Sequence, residues 1–168
     1  MKKIILLPIA FLMTNILFAD PFGLKMGMIL EEIKGKCDGK EPEYRGRGYL
    51  YNIEPIKKDK FFREYTACFN DNLGLFGVDA MTDVMSKGKC EEVFNLVLPI
   101  LEDYYGEPSE VEVPFKVWWF ANKCEKLKKE KLVSIFLTVK SGSGRGMMFL
   151  GYRFENFDKA MESADSPF

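Results

Sequence analysis

Hydrophobic side chains recur at helical spacing in two stretches of the chain. The stronger stretch spans residues 90–105, where apolar positions follow steps of three and four: Val93, Leu96, Val97, Ile100, Leu101 and Tyr104. A shorter stripe predicts a first helix over residues 28–37, ended near Gly39. Pro99 is expected to bend the second helix, and Gly106 followed by Pro108 should end it.

Six other runs are rich in aromatic and β-branched residues and predict strands. They cover residues 49–53, 61–69, 73–84, 115–121, 132–139 and 147–154, and the glycine-rich loop 141–146 should join the last two as a hairpin. The order of a helix, three strands, a helix and three strands predicts an α+β fold, with an antiparallel sheet packed against two helices. Residues 23–87 and 88–157 would be similar α-β-β-β halves of one domain, residues 20–157. A short helical turn is expected from Asn156, and residues 158–168 would form a loose tail.

The first 19 residues have the pattern of a cleavable secretory signal peptide. Lys2 and Lys3 precede an apolar core, and small Ala19 stands at the predicted cleavage site. The uncharged stretch of residues 4–19 is shorter than the roughly 20 residues that span a bilayer, and no later segment is apolar enough. No cysteine follows Ala19 directly, which argues against a lipid-anchored N-terminus. We therefore expect export as a soluble periplasmic or secreted protein with no transmembrane anchor.

The amino-acid composition excludes several classes of catalytic and binding site. The sequence has no histidine, which removes histidine-based triads, Cys–His pairs and histidine metal sites. Without the signal peptide the chain would carry 22 Lys and Arg, because two of the 24 are lysines of the signal, against 25 Asp and Glu. This balance gives no reason to expect a nucleic-acid partner. The basic run at residues 123–131 is predicted to be a solvated turn. No motif indicates a cofactor, a metal or a catalytic residue, so none is assigned.

Four cysteines remain in the mature chain: Cys37, Cys68, Cys90 and Cys124. An even number in an exported protein suggests two disulfides, and four cysteines allow three connectivities. Local pairing of Cys37 with Cys68 and of Cys90 with Cys124 would give each half its own cross-link. Reduced, buried thiols are the alternative.

The segment 23–33, in which Gly23 and Met26 lead into the first helix, resembles the opening of small exported bacterial domains. The second helix ends in Tyr104-Tyr105-Gly106-Glu107-Pro108, and a Tyr-Gly-x-Pro motif after an amphipathic helix is also common in that group. Such units look like the small lipoprotein of the outer-membrane barrel assembly machine, and two in tandem look like the β-lactamase inhibitory protein. The resemblance implies a non-catalytic, protein-binding scaffold, and no functional residue is carried over from it.

The strand at residues 115–121 holds the candidate binding surface. Alternation places Trp118 and Phe120 on one face and Val117 and Trp119 on the other. Phe136 likewise lies opposite the apolar face of its strand. Exposed aromatic side chains on a sheet are typical binding hot spots, so we expect an exported protein-binding or inhibitor-like module whose partner is another protein. A second possibility is that this face is covered. Alternative functions are a periplasmic hydrolase that uses paired carboxylates and a structural protein of the envelope.

Overall fold

A computed structural model describes residues 20–37, 43–44, 50–112 and 115–164; for residues 43, 44, 50, 51, 163 and 164 only the backbone is described. The predicted signal peptide, residues 1–19, lies outside the described residues. The described helices are α1 (Leu30–Lys34), α2 (Lys87–Tyr105), α3 (Glu125–Lys129) and α4 (Phe157–Ala164). The strands are β1 (Glu43–Tyr44), β2 (Leu50–Ile53), β3 (Glu64–Asn70), β4 (Gly74–Met81), β5 (Met85–Ser86), β6 (Glu110–Glu112), β7 (Lys116–Phe120), β8 (Leu132–Gly142) and β9 (Arg145–Phe154).

All these strands belong to one antiparallel sheet in the order β1-β2-β3-β4-β9-β8-β7-β6, and the short β5 pairs with β9. The α+β class with an antiparallel sheet is therefore confirmed. Strands β1–β4 precede α2 and strands β6–β9 follow it, so each predicted half contributes neighbouring strands. The last strands of the two groups, β4 and β9, pair in the middle of the sheet. The similarity of the two halves stays a prediction.

Helix α2 lies on one face of the sheet, which we call the inner face. Its stripe is buried at Val93, Val97 and Leu101, and it contacts β8, β9 and β5. The helix starts three residues before the predicted start, because the Ser86 hydroxyl accepts a hydrogen bond from the Lys89 amide and caps it. It continues through Pro99 and ends at Gly106, whose φ of 84° is readily adopted by glycine.

The chain enters the core immediately after residue 20. Pro21 and Phe22 belong to a short 3-10 turn, and Phe22 is 1% exposed. Gly27 then approaches β4 so closely that a Cβ on Gly74 would lie 2.4 Å from the Gly27 carbonyl oxygen. The Gly27 amide donates to Leu75, whose own amide donates to Met28. These two hydrogen bonds tie residues 27–28 to β4, and α1 begins only at Leu30, so it is shorter than the predicted helix.

The C-terminal part extends the predicted short helical turn and corrects the prediction of a loose tail for residues 158–164, whereas residues 165–168 lie outside the described residues. Residues 157–164 form α4, which lies on the opposite face of the sheet, the outer face. Phe157 and the fully buried Ala160 pack there against Phe76 and Cys68. The basic run at residues 123–131 is also more than a solvated turn, because it contains α3 and buries Leu127 completely. In both segments one or two apolar side chains anchor an otherwise polar stretch.

The two predicted disulfides are absent from the structure, in which all four cysteines are free thiols. Cys37 packs against the inner-face core, whereas Cys68 belongs to the outer-face cluster with Phe76. Cys90 lies near the start of α2, and the Cys124 thiol donates to the Tyr105 carbonyl at the other end of that helix. Fifteen helical residues separate these ends by about 22 Å, whereas a disulfide needs Cα atoms about 4.4–6.8 Å apart.

Candidate functional site

Strand β7 separates its side chains cleanly between the two faces. Val117 is 3% exposed and Trp119 is fully buried on the inner face. Trp118 and Phe120 point to the outer face and are partly exposed. Since both faces of this strand are apolar, the alternation decides only which residues share a face. Packing beneath α2 decides which face is covered.

Trp118 is directly opposite Phe136 of the neighbouring strand β8, which is also partly exposed on the outer face. The structure thus brings the three candidate residues Trp118, Phe120 and Phe136 onto one surface. The Lys116 ammonium lies 4.6 Å from the centre of the Trp118 ring and pairs with Glu112 at 2.8 Å. This cation–π contact holds the indole in place at the edge of the face.

Beyond Phe136 lies an ion pair that joins two strands. The Arg153 guanidinium of β9 lies 5.0 Å from the Phe136 ring centre and 5.4 Å from that of Phe157. It also donates to both carboxylate oxygens of Asp79 in β4, at 2.6 and 3.1 Å. Burial by itself would lower the pKa of Arg153, but the charge and hydrogen bonds of Asp79 outweigh it and raise that pKa. The guanidinium is therefore a permanent cation in this surface.

Two glycines make room for these groups. A Cβ on Gly151 would lie 2.1 Å from two atoms of the Phe136 ring. Gly77 is directly opposite Arg153 across the β4–β9 pair, and a Cβ there would lie 3.3 Å from the arginine side chain. We call Trp118, Phe136, Arg153 and Phe157, which are linked by these contacts, the aromatic row.

Cys68 lies next to the buried end of the aromatic row. Its thiol donates to the Asp79 carboxylate at 3.9 Å. Burial, followed by the negative charge of Asp79, raises the pKa of the thiol to about 12. A protonated, 4% exposed thiol is a poor nucleophile.

A second polar cluster lies at the end of α2, where the sequence had indicated none. The hydroxyls of Tyr104 and Tyr105 donate to the two carboxylate oxygens of Glu130, at 2.7 and 2.9 Å. Burial and the adjacent glutamate raise the pKa of Tyr104 to about 12 and raise that of Tyr105 further. Lys126 donates to the Tyr104 carbonyl at 2.6 Å and lies over its ring.

Glu130 also lines a cavity of about 360 Å³, together with Asp20, Lys25, Met26, Lys129, Lys131 and Phe154. Two acids of the kind that the hydrolase alternative requires thus share a cavity. Both carboxylates, however, already have bonding partners within the protein. Asp20 pairs with Lys25 at 3.3 Å, and each oxygen of Glu130 accepts a tyrosine hydroxyl.

The sequence contains a signal for the ion pair. Asp79 and Arg153 are charged residues inside two apolar strands, and such residues are rarely buried unless they are paired. Their pairing required the knowledge that β4 and β9 are neighbours. The Tyr104–Tyr105–Glu130 cluster had no comparable signal, because its tyrosines lie 26 and 25 positions before its acid in the sequence.

The fold and this surface define an α+β protein with a helix-covered inner face and a partly exposed aromatic outer face. Comparison with known proteins found no matching family model, no matching curated protein and no matching solved structure. Among the described residues, no helix is both long and apolar enough to cross a membrane. The same residues contain no cluster of three or more His, Cys, Asp or Glu suited to a metal ion.

Proposed function

We propose that this chain is an exported, non-catalytic protein that binds another protein through the outer face of its sheet. The observation that carries the proposal is the Trp118–Phe136 pair. Its two aromatic side chains are directly opposite each other on neighbouring strands and stay partly exposed. Aromatic side chains in the centre of an interface supply much of its binding energy.

The aromatic side chains are also held in position before a partner arrives. Lys116 stacks on Trp118, and Phe136 lies close to both the Gly151 backbone and the Arg153 guanidinium. Side chains that are already ordered lose less conformational entropy on binding, and this improves affinity without adding contacts. A flat, ordered aromatic surface suits a protein partner better than it suits a small substrate.

Export rests on the signal-peptide pattern before Asp20, and the fold is compatible with cleavage there. Phe22 is in the core two residues after the predicted mature start. Processing after Ala19 would therefore leave Phe22 and the rest of the described core in the mature chain. The resemblance to tandem inhibitory proteins agrees with this proposal and rests on short sequence motifs alone.

Site-specific photo-crosslinking tests the surface directly. A photoreactive phenylalanine analogue at position 118 should give a discrete adduct with one partner in the native envelope. The matched control is the analogue at Leu96, which is 56% exposed on the outward side of α2. Adducts of equal yield and identity at both positions would refute the outer face as the binding surface.

Alanine substitution separates binding from folding. Trp118→Ala should weaken capture of the cross-linked partner at least tenfold and leave the melting temperature within about 2 °C, since the indole is partly exposed. Trp119→Ala removes a fully buried indole and should lower stability by about 3–5 kcal/mol. Loss of stability without loss of binding in Trp118→Ala would show that Trp118 is a core residue.

A further inference from the structure

We propose that the cavity beside Glu130 binds an amphipathic anion, meaning a carboxylate or phosphate group attached to an apolar body. The cavity lies where residues 20–26 meet the turn between α3 and β8. Its volume of about 360 Å³ falls within the usual range for small-molecule sites. The inference is independent of the protein-binding surface, which lies on the outer face.

Two of the lysines that line this cavity, Lys129 and Lys131, are available to bind an anion. Lys25 is paired with Asp20, and Glu130 is held by the two tyrosine hydroxyls. Within the described part of the chain, Lys129 and Lys131 form neither an ion pair nor a side-chain hydrogen bond. An anion that enters the cavity would therefore pair with these two lysines without breaking an existing bond.

The backbone of Lys131 is a second, independent observation. Its φ is 57°, in the left-handed region, directly after α3. Glycine or asparagine usually occupies this position after a helix, because a Cβ is strained there. Two hydrogen bonds hold this turn. The Lys131 amide donates to the Lys128 carbonyl, and the Glu155 amide donates to the Lys131 carbonyl. A strained residue kept at the edge of a cavity is typical of functional sites.

The rest of the lining favours an apolar body over a bare ion. Met26 is partly buried and Phe154 is 1% exposed, and both belong to or pack against the main core. An alkyl chain could cover these side chains while its charged end stays near the two lysines. Inorganic phosphate, which has no apolar part, should bind much more weakly.

Titration with octyl phosphate below its micelle concentration tests the proposal. The protein is labelled with ¹³C at the methionine methyl groups, and the Met26 NMR signal is assigned by its loss in Met26→Leu. The chemical shift of this signal should change as ligand is added and should reach a plateau when the site is full. Octanoate should compete, whereas octanol and inorganic phosphate should bind at least about tenfold more weakly. Met81 and Met147 serve as internal controls on the outer face, and their signals should stay unchanged.

Charge-removing variants complete the test. Lys129→Gln combined with Lys131→Gly should raise the dissociation constant for octyl phosphate at least about tenfold. The loss of two exposed ion pairs with the anion is enough to account for this change. Glycine adopts the backbone conformation at position 131 without strain, so this variant should keep its melting temperature. Lys87→Gln with Lys89→Gln removes the same charge at the distant start of α2 and should bind normally. Unchanged affinity in the first double variant, equal binding of octanol, or an unmoved Met26 signal would each refute the site.

Discussion

The ring of Phe136 lies directly on Gly151, so that a Cβ at residue 151 would come within 2.1 Å of two ring atoms. Phe136 and Gly151 are register partners on β8 and β9, in the middle of the outer face. The absent side chain at 151 is thus what allows the Phe136 ring to approach the backbone of β9 so closely. The same ring then forms one side of the cation–π contact with Arg153.

Gly151→Ala should therefore force the Phe136 ring out of its place. We expect a loss of about 1–3 kcal/mol in the free energy of unfolding, as is usual for overpacking, measured by urea denaturation. Gly142→Ala is the matched control, because nothing lies within 4 Å of a Cβ there. Phe136→Leu added to Gly151→Ala should recover part of the loss. Equal stabilities of the two alanine variants would contradict the close contact.

Asp79→Asn should lower the free energy of unfolding, because it leaves the Arg153 guanidinium without its negatively charged partner. The side chains are 24% and 16% exposed, so solvent compensates only part of the loss. We expect a decrease of about 2 kcal/mol in the free energy of unfolding, below the 3–5 kcal/mol of a fully buried pair.

The control for Asp79→Asn is Glu92→Gln, which breaks the exposed pair with Lys89. That change should cost less than about 0.5 kcal/mol. A similar small effect at Asp79 would mean that the buried ion pair contributes nothing to stability.

Stability should fall above pH 10 because several tyrosines are kept neutral by the fold. Burial, as the largest cause, raises the pKa of Tyr65 and of Tyr104 to about 12, against an ordinary value of 10.0. Between those two values the unfolded chain loses protons that the folded chain keeps, so rising pH favours unfolding. The stabilisation is fully present below pH 10 and is lost as the pH rises through 12.

Absorbance at 295 nm should show this delayed ionisation of tyrosine in the folded protein, and urea denaturation at pH 9, 10 and 11 should show the decline. Tyr65→Phe should make the decline shallower. A native titration curve that coincides with that of the denatured protein would contradict the raised pKa values.

Alkylation of the thiols distinguishes free cysteines from the two disulfides that were predicted because the chain is expected to be exported. Alkylation of unreduced, denatured protein should modify four thiols, as seen in its mass. In the folded protein Cys37 and Cys124 should react first, since Cys68 and Cys90 are buried. Recovery of two disulfides from the exported protein would instead require a rearrangement of the regions around α2.

Periodicity predicted the elements that have one apolar side. The stripe of α2 and the alternation in β8 were sufficient to place both elements and the hairpin between β8 and β9. The same method predicted only a short helical turn where α4 forms, and it missed β6, which is exposed at all three residues. Local pattern does not mark such segments, because they form through contacts with distant parts of the chain.

The candidate surface shows the same division. The sequence alone determined that Trp118 and Phe120 share one face of β7, because side chains alternate along any strand. Only the tertiary structure decided that this face is the outer one, since both faces of the strand are apolar and α2 covers just one of them. The partners Gly151, Asp79 and Arg153 also depend on strand order, which the sequence pattern does not encode. The physical reason is that periodicity is a local property, whereas burial depends on which elements pack together.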